Sequence, residues 1–134
     1  MVEVKLAPID IKGRIFEADI ATIKSTMLGI EDHGWLTFDL QLDYGTGGQG
    51  VGSFMLDHWD SKKDKNVPLL WTAAVSRKIL EVAGVDEWEH LKGCRIIALK
   101  DEPYGVVRGL MNLPPAKNNY VIFEDIFQEY KSQS

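Results

Sequence analysis

Five glycines fall within eight residues near the middle of this 134-residue chain, in the segment 45–52, GTGGQGVG. The segment contains a literal G-x-G-x-x-G pattern, which binds a dinucleotide phosphate where a strand leads into a helix. Here the residues that follow, 51–54, alternate as in a strand, so we reject a dinucleotide site. The glycines predict either turn and bulge structure or main-chain contact with a ligand or a second subunit.

Three arginines are candidates for contact with an anionic ligand. Arg108 interrupts the apolar run 106–111 beside a glycine, and its planar guanidinium can bind a phosphate or carboxylate through two hydrogen bonds. Arg95, in the other strand of the same predicted hairpin, and Arg14, which follows a glycine, are weaker candidates. The alternative for Arg108 is that it faces water on the outer side of its strand.

Aromatic rings would complete a nucleotide site, because a base stacked on a ring gains about 1–3 kcal/mol. Trp35 and Tyr44, at predicted strand ends beside glycines, are the candidate rings, whereas Trp71 and Trp88 are expected in the core. The full candidate ligand site consists of Arg14, Trp35, Tyr44, Gly47, Gly48, Gln49, Arg95, Arg108 and Asn112.

The sequence shows no recognisable catalytic or metal-binding motif. Its three histidines lack a second histidine or cysteine at the spacing of metal ligands. Its single cysteine, Cys94, begins a predicted strand, and we expect it to be buried rather than paired with a histidine as a nucleophile. We therefore predict a protein that is not an enzyme and that requires no metal and no cofactor.

Composition indicates one domain covering residues 1–134, with 45% hydrophobic and 26% charged residues. A net charge of -5 argues against general nucleic-acid binding, which usually needs a basic surface. The single cysteine excludes an internal disulfide and fits a reducing cytoplasm. The N-terminus lacks the apolar core of a signal peptide, and no apolar run approaches the roughly 20 residues of a membrane helix. We expect no contact with a membrane.

Hydrophobic periodicity predicts an α+β fold of antiparallel sheets around a central amphipathic helix. Strand-like alternation occurs over residues 2–6, 12–20, 35–43, 51–56, 95–99, 104–110 and 120–123. Residues 31–34 and 100–103 are predicted turns, and residues 58–66 a surface loop.

The central helix is predicted over about residues 67–83, capped by Asn66, with Pro68 in its first turn and Gly84 ending it. A short helix, about residues 86–92, is expected to begin at Asp86. One or two helical turns are predicted over residues 124–130.

Four segments resemble a widespread group of small phage-encoded proteins. They are residues 13–18 (GRIFEA), 28–34 (LGIEDHG), 47–52 (GGQGVG) and 79–93 (ILEVAGVDEWEHLKG). Together they span most of the chain, and the last is the most distinctive. The resemblance implies a phage origin.

Within that group the chain is similar, in size, order of elements and arginine–aromatic content, to the first-described Thoeris anti-defence family. Members of that family sequester cyclic ADP-ribose isomers made by bacterial TIR enzymes, and some hold cyclic oligonucleotides. They are small α+β homo-oligomers whose sites, formed between subunits, combine aromatic stacking with arginine and asparagine contacts to phosphate. The resemblance implies a homo-oligomer in the host bacterial cytoplasm that sequesters a cyclic nucleotide signal without turnover.

Two alternatives remain open from the sequence. The chain can instead be a phage accessory protein that inhibits a host defence protein by direct contact, since an acidic surface mimics the charge of nucleic acid. It can also be a small enzyme that cleaves the same signal. The lack of a recognisable nucleophile or metal cluster in the sequence counts against the enzyme.

Overall fold

The computed structural model of the protein describes residues 6–30 and 34–130, with the side chains of residues 53–55 excepted. The predicted strand over residues 2–6 and the turn at 31–33 therefore lie almost entirely outside the described residues. The strands are β1 (Ile9–Ile11), β2 (Arg14–Ile30), β3 (Leu36–Asp43), β4 (Gly48–Met55), β5 (Asp57–Asp60), β6 (Lys65–Pro68), β7 (Arg95–Lys100), β8 (Val107–Met111) and β9 (Tyr120–Ile122), and the α-helices are α1 (Trp71–Ala83) and α2 (Phe123–Tyr130).

The main sheet of the described chain is antiparallel and runs in the order β4-β3-β2-β7-β8-β9, with β1 paired to β2. Strand β2 holds it together, because its 17 residues pair with three other strands. It pairs with β1 near its start, with β7 in its middle and with β3 over its second half. Strands β5 and β6 form a separate hairpin.

Strands β4, β3, β2, β7 and β8 are consecutive neighbours in the sheet, and α1 lies in the chain between β4 and β7.

Apolar side chains cover both faces of the sheet. One face, with Phe38 and Leu40 of β3 and Ile96 of β7, packs against α1 in the larger core cluster. The opposite face, with Phe16 of β2 and Leu99 of β7, forms a second cluster with β1. Because both faces of β7 are buried, its sequence reads as a continuous apolar run rather than as an alternation. None of the described helices is long and apolar enough to cross a membrane.

The α+β prediction is confirmed, but the start of the central helix was predicted too early. Helix α1 begins at Trp71 after an N-cap at Leu70 that makes no side-chain hydrogen bond. Residues 65–68 instead pair with β5, so the predicted surface loop is a hairpin. The Asn66 amide donates to the carbonyl of Gly34 at 2.8 Å and does not cap the helix. The predicted stop is correct, because Gly84 adopts the left-handed conformation with φ 75°.

The short helix predicted over 86–92 is reduced to a single 3-10 turn, Trp88–His90, with Glu87 rather than Asp86 at its N-cap. The second α-helix is α2 at the end of the described chain, where one or two turns were predicted. The hairpin of β7 and β8 also differs from its prediction. Lys100 is the last residue of β7, and β8 begins only at Val107.

Candidate functional site

A cleft of about 850 Å³ opens where β3 ends and the chain turns through its glycines. Its volume lies within the range of roughly 300–1,000 Å³ that is typical of small-molecule sites. We call residues 43–49 the glycine loop. The cleft is lined by residues 17–22 of β2, by the glycine loop, and by Leu6, Arg95, Lys100, Pro103 and Tyr104.

The glycine loop presents bare main chain to the cleft. Its turn is closed by the Tyr44 N–H, which donates to the Gly47 carbonyl at 2.8 Å, and by the Gly45 N–H, which donates to Asp43 Oδ1 at 2.8 Å. Gly45 has φ 87°, and a Cβ added at Gly45 or Gly47 would meet nothing within 4 Å. The amides of Thr46 and Gly47 have no hydrogen-bond acceptor among the described residues.

A buried cation lies on one wall of the cleft. Lys100 is only 5% exposed, and its Nζ lies 3.2 Å from Asp19 Oδ2 and 4.4 Å from the centre of the Tyr44 ring. A buried ammonium needs such partners, because removing a charge from water costs several kcal/mol, and the aromatic face attracts the cation. The sheet brings Asp19 and Lys100 together, since β2 and β7 are neighbours.

Tyr44 links this ion pair to the glycine loop. Burial raises the pKa of its phenol, and the nearby charge of Lys100 and its hydrogen bond offset part of that rise. The phenol is therefore protonated at neutral pH, and its O–H donates to Gln49 Oε1 at 2.8 Å. Gln49 Nε2 in turn donates to the Gly105 carbonyl at 2.9 Å. This chain of hydrogen bonds ties the glycine loop to the turn between β7 and β8 and fixes two walls of the cleft.

The structure brings five of the nine predicted site residues together. Tyr44, Gly47, Gly48, Gln49 and Arg95 all line the cleft. Arg95 is exposed and makes no ion pair with the described residues. It is therefore the cation at this site that remains available to a ligand.

The other four lie elsewhere and have structural partners. Arg14 binds Asp125 at 3.1 Å, and the Arg108 Nε binds Asp101 at 3.0 Å on the surface. The Asn112 amide donates to the carbonyl of Val82 in the last turn of α1 at 2.9 Å, which satisfies a helix-end acceptor. Trp35 is half-buried and does not line the cleft. Nothing in this arrangement groups these four residues into one site.

The predicted site did not include Asp19, Lys100 or Tyr104. Lys100 was assigned to a turn, yet it directly follows the apolar run 96–99, and a charge at the end of such a run was the available signal. Asp19 lies in a predicted strand. No sequence signal pairs these two residues, because only the β2–β7 register brings them together.

The cleft offers a ligand three kinds of contact: the main chain of the glycine loop, the aromatic ring of Tyr104 and the guanidinium of Arg95. Its acids are Glu17, Asp19 and Asp43, and its cations are Lys100, already neutralised by Asp19, and Arg95. The part of the chain that the structure describes holds no group of three His, Cys, Asp or Glu side chains placed to bind a metal ion. Cys94, expected to be buried, is half-buried, and its thiol donates to the His90 carbonyl at 3.2 Å.

The fold and the cleft together define a small α+β protein with an open polar cleft beside a glycine loop. No family model matches the chain, and neither the curated proteins nor the solved structures give a match.

Proposed function

We propose that this chain is a phage anti-defence protein that binds and sequesters a cyclic nucleotide signal in the cleft, without turnover. The observation that supports the proposal is that four residues of the glycine loop, chosen from the sequence for ligand contact, line one cleft of small-molecule size together with the distant Arg95. The ligand class is a cyclic ADP-ribose isomer or a cyclic oligonucleotide.

Each part of a nucleotide has a chemical counterpart in this cleft. The Tyr104 ring is 97% exposed and offers a stacking surface for a base. The amides of Thr46 and Gly47 have no acceptor among the described residues and could donate to an anion, as main-chain amides do in anion-binding concavities. Arg95 supplies the guanidinium for a phosphate. Tyr44 does not stack here, because Lys100 lies over its ring.

Sequestration requires high affinity, and a preformed cleft favours high affinity. Tyr44, Gln49 and Gly105 are already joined in the free protein, so a ligand does not have to order them. Preformed sites lose less affinity to ordering than flexible ones do. The phage setting and the bacterial cytoplasm rest on the sequence resemblance.

A thermal-shift screen tests the proposal. The chain is mixed with cyclic ADP-ribose isomers and with cyclic di- and trinucleotides, and any hit is denatured so that the released molecule can be identified by chromatography. A ligand at a hundredfold excess over its Kd stabilises the fold by about 2.7 kcal/mol. We expect a raised Tm and recovery of unaltered ligand. Altered ligand would indicate an enzyme, and a complete absence of shifts refutes nucleotide binding.

Two arginine variants locate the site within that screen. Arg95→Ala is expected to weaken binding about 10-fold, because a charged hydrogen bond contributes roughly 1.5–3 kcal/mol and Arg95 is partly solvated. Arg108→Ala is the matched control, since Arg108 is also an exposed arginine but lies outside the cleft beside Asp101. Equal losses in both variants would place the ligand somewhere other than the cleft.

A second candidate function is inhibition of a host defence protein by direct contact. The observation that favours it is an apolar surface at the far end of β2, where Leu28 and Ile30 are 55% and 76% exposed. Exposed apolar side chains that adjoin one another commonly mark protein interfaces. Purification of the phage-expressed chain with a host protein, together with no response to any nucleotide, would select this function.

A further inference from the structure

Asp19 is the member of the buried ion pair that water reaches. Its side chain is 33% exposed, against 7% for that of Lys100, and it lines the cleft. Its Oδ2 lies 3.2 Å from the Lys100 Nζ, and none of the described residues donates a hydrogen bond to its Oδ1. An ionised carboxylate can accept about four hydrogen bonds. Asp19 therefore retains the capacity to accept a hydrogen bond from a ligand in the cleft.

Lys100 fixes the position of this carboxylate. Lys100 pairs with Glu17 across the two strands, and Asp19 follows two residues later on β2. Residues two apart on a strand share a face of the sheet, so all three side chains leave the same face. The ammonium is itself held, because it lies 4.4 Å from the centre of the Tyr44 ring. A ligand thus meets an acceptor that the protein has already oriented, which reduces the entropy lost on binding.

The charges around Asp19 favour a neutral donor there and disfavour an anion. Glu17 lies on the same face and also lines the cleft, and the charge of Lys100 is already neutralised by Asp19. A phosphate placed beside these two carboxylates would be repelled. A hydroxyl group is not repelled, and its hydrogen bond to an ionised carboxylate is shorter and stronger than a bond between neutral groups.

Contacts connect Asp19 to the parts of the cleft assigned to the phosphate and the base. The Lys100 ammonium that holds Asp19 also lies over the ring of Tyr44 in the glycine loop. Gln49 of the same loop donates to the Gly105 carbonyl at 2.9 Å, and Gly105 follows Tyr104 in the turn between β7 and β8. The glycine loop, Asp19 and Tyr104 are thus joined by direct contacts. In a nucleotide the ribose links the phosphate to the base, and its 2′-hydroxyl can donate a hydrogen bond.

We propose, building on the proposed function, that Asp19 recognises the ribose of the nucleotide by accepting a hydrogen bond from its 2′-hydroxyl. A carboxylate binds this hydroxyl in dinucleotide-binding folds as well, but here it stands on a strand of an antiparallel sheet and is oriented by a buried lysine. The cleft then selects ribonucleotide signals over their deoxyribonucleotide counterparts, because the 2′-hydroxyl is the group that distinguishes them.

The experiment measures the preference of the chain for ribose over 2′-deoxyribose. The probes are cyclic di-AMP and cyclic ADP-ribose, each compared with its 2′-deoxy counterpart by isothermal titration calorimetry. Each pair has the same bases and the same phosphates, so a difference in affinity reports the hydroxyl alone. We expect at least one probe to bind the unaltered chain about 10-fold or more tightly than its deoxy counterpart, because hydrogen bonds to charged groups are among the stronger ones.

Two variants assign that preference to Asp19. Asp19→Ala alone would leave a buried cation unpaired, so the comparison is made between Lys100→Met and Asp19→Ala/Lys100→Met. Neither variant contains the cation, and the two differ only in the side chain at position 19. We expect Lys100→Met to retain a preference of about 3-fold or more and the double variant to bind both forms equally. If the double variant fails to fold, the probe pairs on the unaltered chain still decide.

Glu17→Gln controls for the overall charge of the cleft. It removes a negative charge from the same face of β2, and Glu17 makes no ion pair with the described residues. We expect the preference for ribose to stay within about 2-fold of that of the unaltered chain, because an unanchored carboxylate contributes little to a directed hydrogen bond. Loss of the preference in Glu17→Gln, with its retention in the double variant, would identify Glu17 as the ribose contact and refute the inference.

The outcomes separate this inference from the proposed function. Failure of the unaltered chain to bind any nucleotide of the screen refutes both. Binding of another nucleotide but of neither probe, or equal affinity for the ribose and deoxyribose forms, refutes only this inference. Equal weakening of both forms when Asp19 is removed also refutes it, because the carboxylate would then act through its charge, as it would on a metal ion carried by the phosphates.

Discussion

Lys100 shows how a charge can be buried in this fold without unfolding it. Its ammonium is held between the carboxylate of Asp19 and the ring of Tyr44. Asp19 keeps about a third of its side chain exposed to water, so it is much less buried than Lys100. Loss of Asp19 would leave a buried cation without a counter-ion, whereas loss of Lys100 would leave a carboxylate that water still reaches.

We expect Asp19→Ala to lower the free energy of unfolding by about 2 kcal/mol, somewhat less than the 3–5 kcal/mol typical of breaking a fully buried pair. Lys100→Met should cost about 1 kcal/mol or less, because methionine fills much of the same volume. The double variant should be about as stable as Lys100→Met alone. Urea denaturation of the four proteins measures this cycle, and strictly additive losses would show that the pair does not interact.

Close contacts between elements explain glycines that the sequence left ambiguous. Gly109 lies in β8, where a Cβ would come within 2.2 Å of the Val121 carbonyl oxygen of β9. Its position beside Arg108 therefore follows from strand packing and not from a ligand. Gly52 is similar, since its Cβ would lie 2.4 Å from the Cβ of Asp39 at the bulge between β3 and β4.

Gly109→Ala is accordingly expected to lower the free energy of unfolding by about 2 kcal/mol or more, since overpacking a core typically costs 1–3 kcal/mol. Gly47→Ala, with nothing within 4 Å of the added carbon, should change stability by less than about 0.5 kcal/mol. Thermal unfolding of both variants measures the difference. Similar Tm values for the two would show that β8 and β9 can separate without cost.

Long periodic segments were predictable from the sequence because the spacing of their apolar residues indicates which face is buried. Strand β3 alternates cleanly, and the apolar stripe of α1 faces the core. The hairpin of β5 and β6 was not predictable, since its residues are mostly polar and show no apolar alternation that would indicate a strand. Five of the eighteen residues that line the cleft were predicted, four in the glycine loop and Arg95. The residues of β2 that line it were not, because their place in the cleft depends on which strands lie beside β2.

At the scale of the whole molecule, the far end of β2 carries exposed apolar side chains. Thr26, Leu28 and Ile30 lie on the face that carries the core, opposite Leu40, Phe38 and Leu36 of β3. Thr26 accepts a hydrogen bond from the Trp88 indole at 3.1 Å, so the core continues that far. Leu28 and Ile30 extend the same face into solvent. None of the described helices and strands covers this apolar face, which favours a second copy of the chain there.

We expect Leu28→Ser/Ile30→Ser to lower the oligomeric state measured by sedimentation equilibrium, because two apolar side chains would no longer be buried between copies. Ile15→Ser is the control, since Ile15 is 60% exposed but lies at the other end of β2. If the unaltered chain is a monomer at every concentration, the apolar face is available to a different protein, and inhibition of a host protein by direct contact gains support. If the double variant dissociates yet still binds nucleotide, the cleft of one subunit suffices, and the site differs from the shared sites of the family that the sequence resembles.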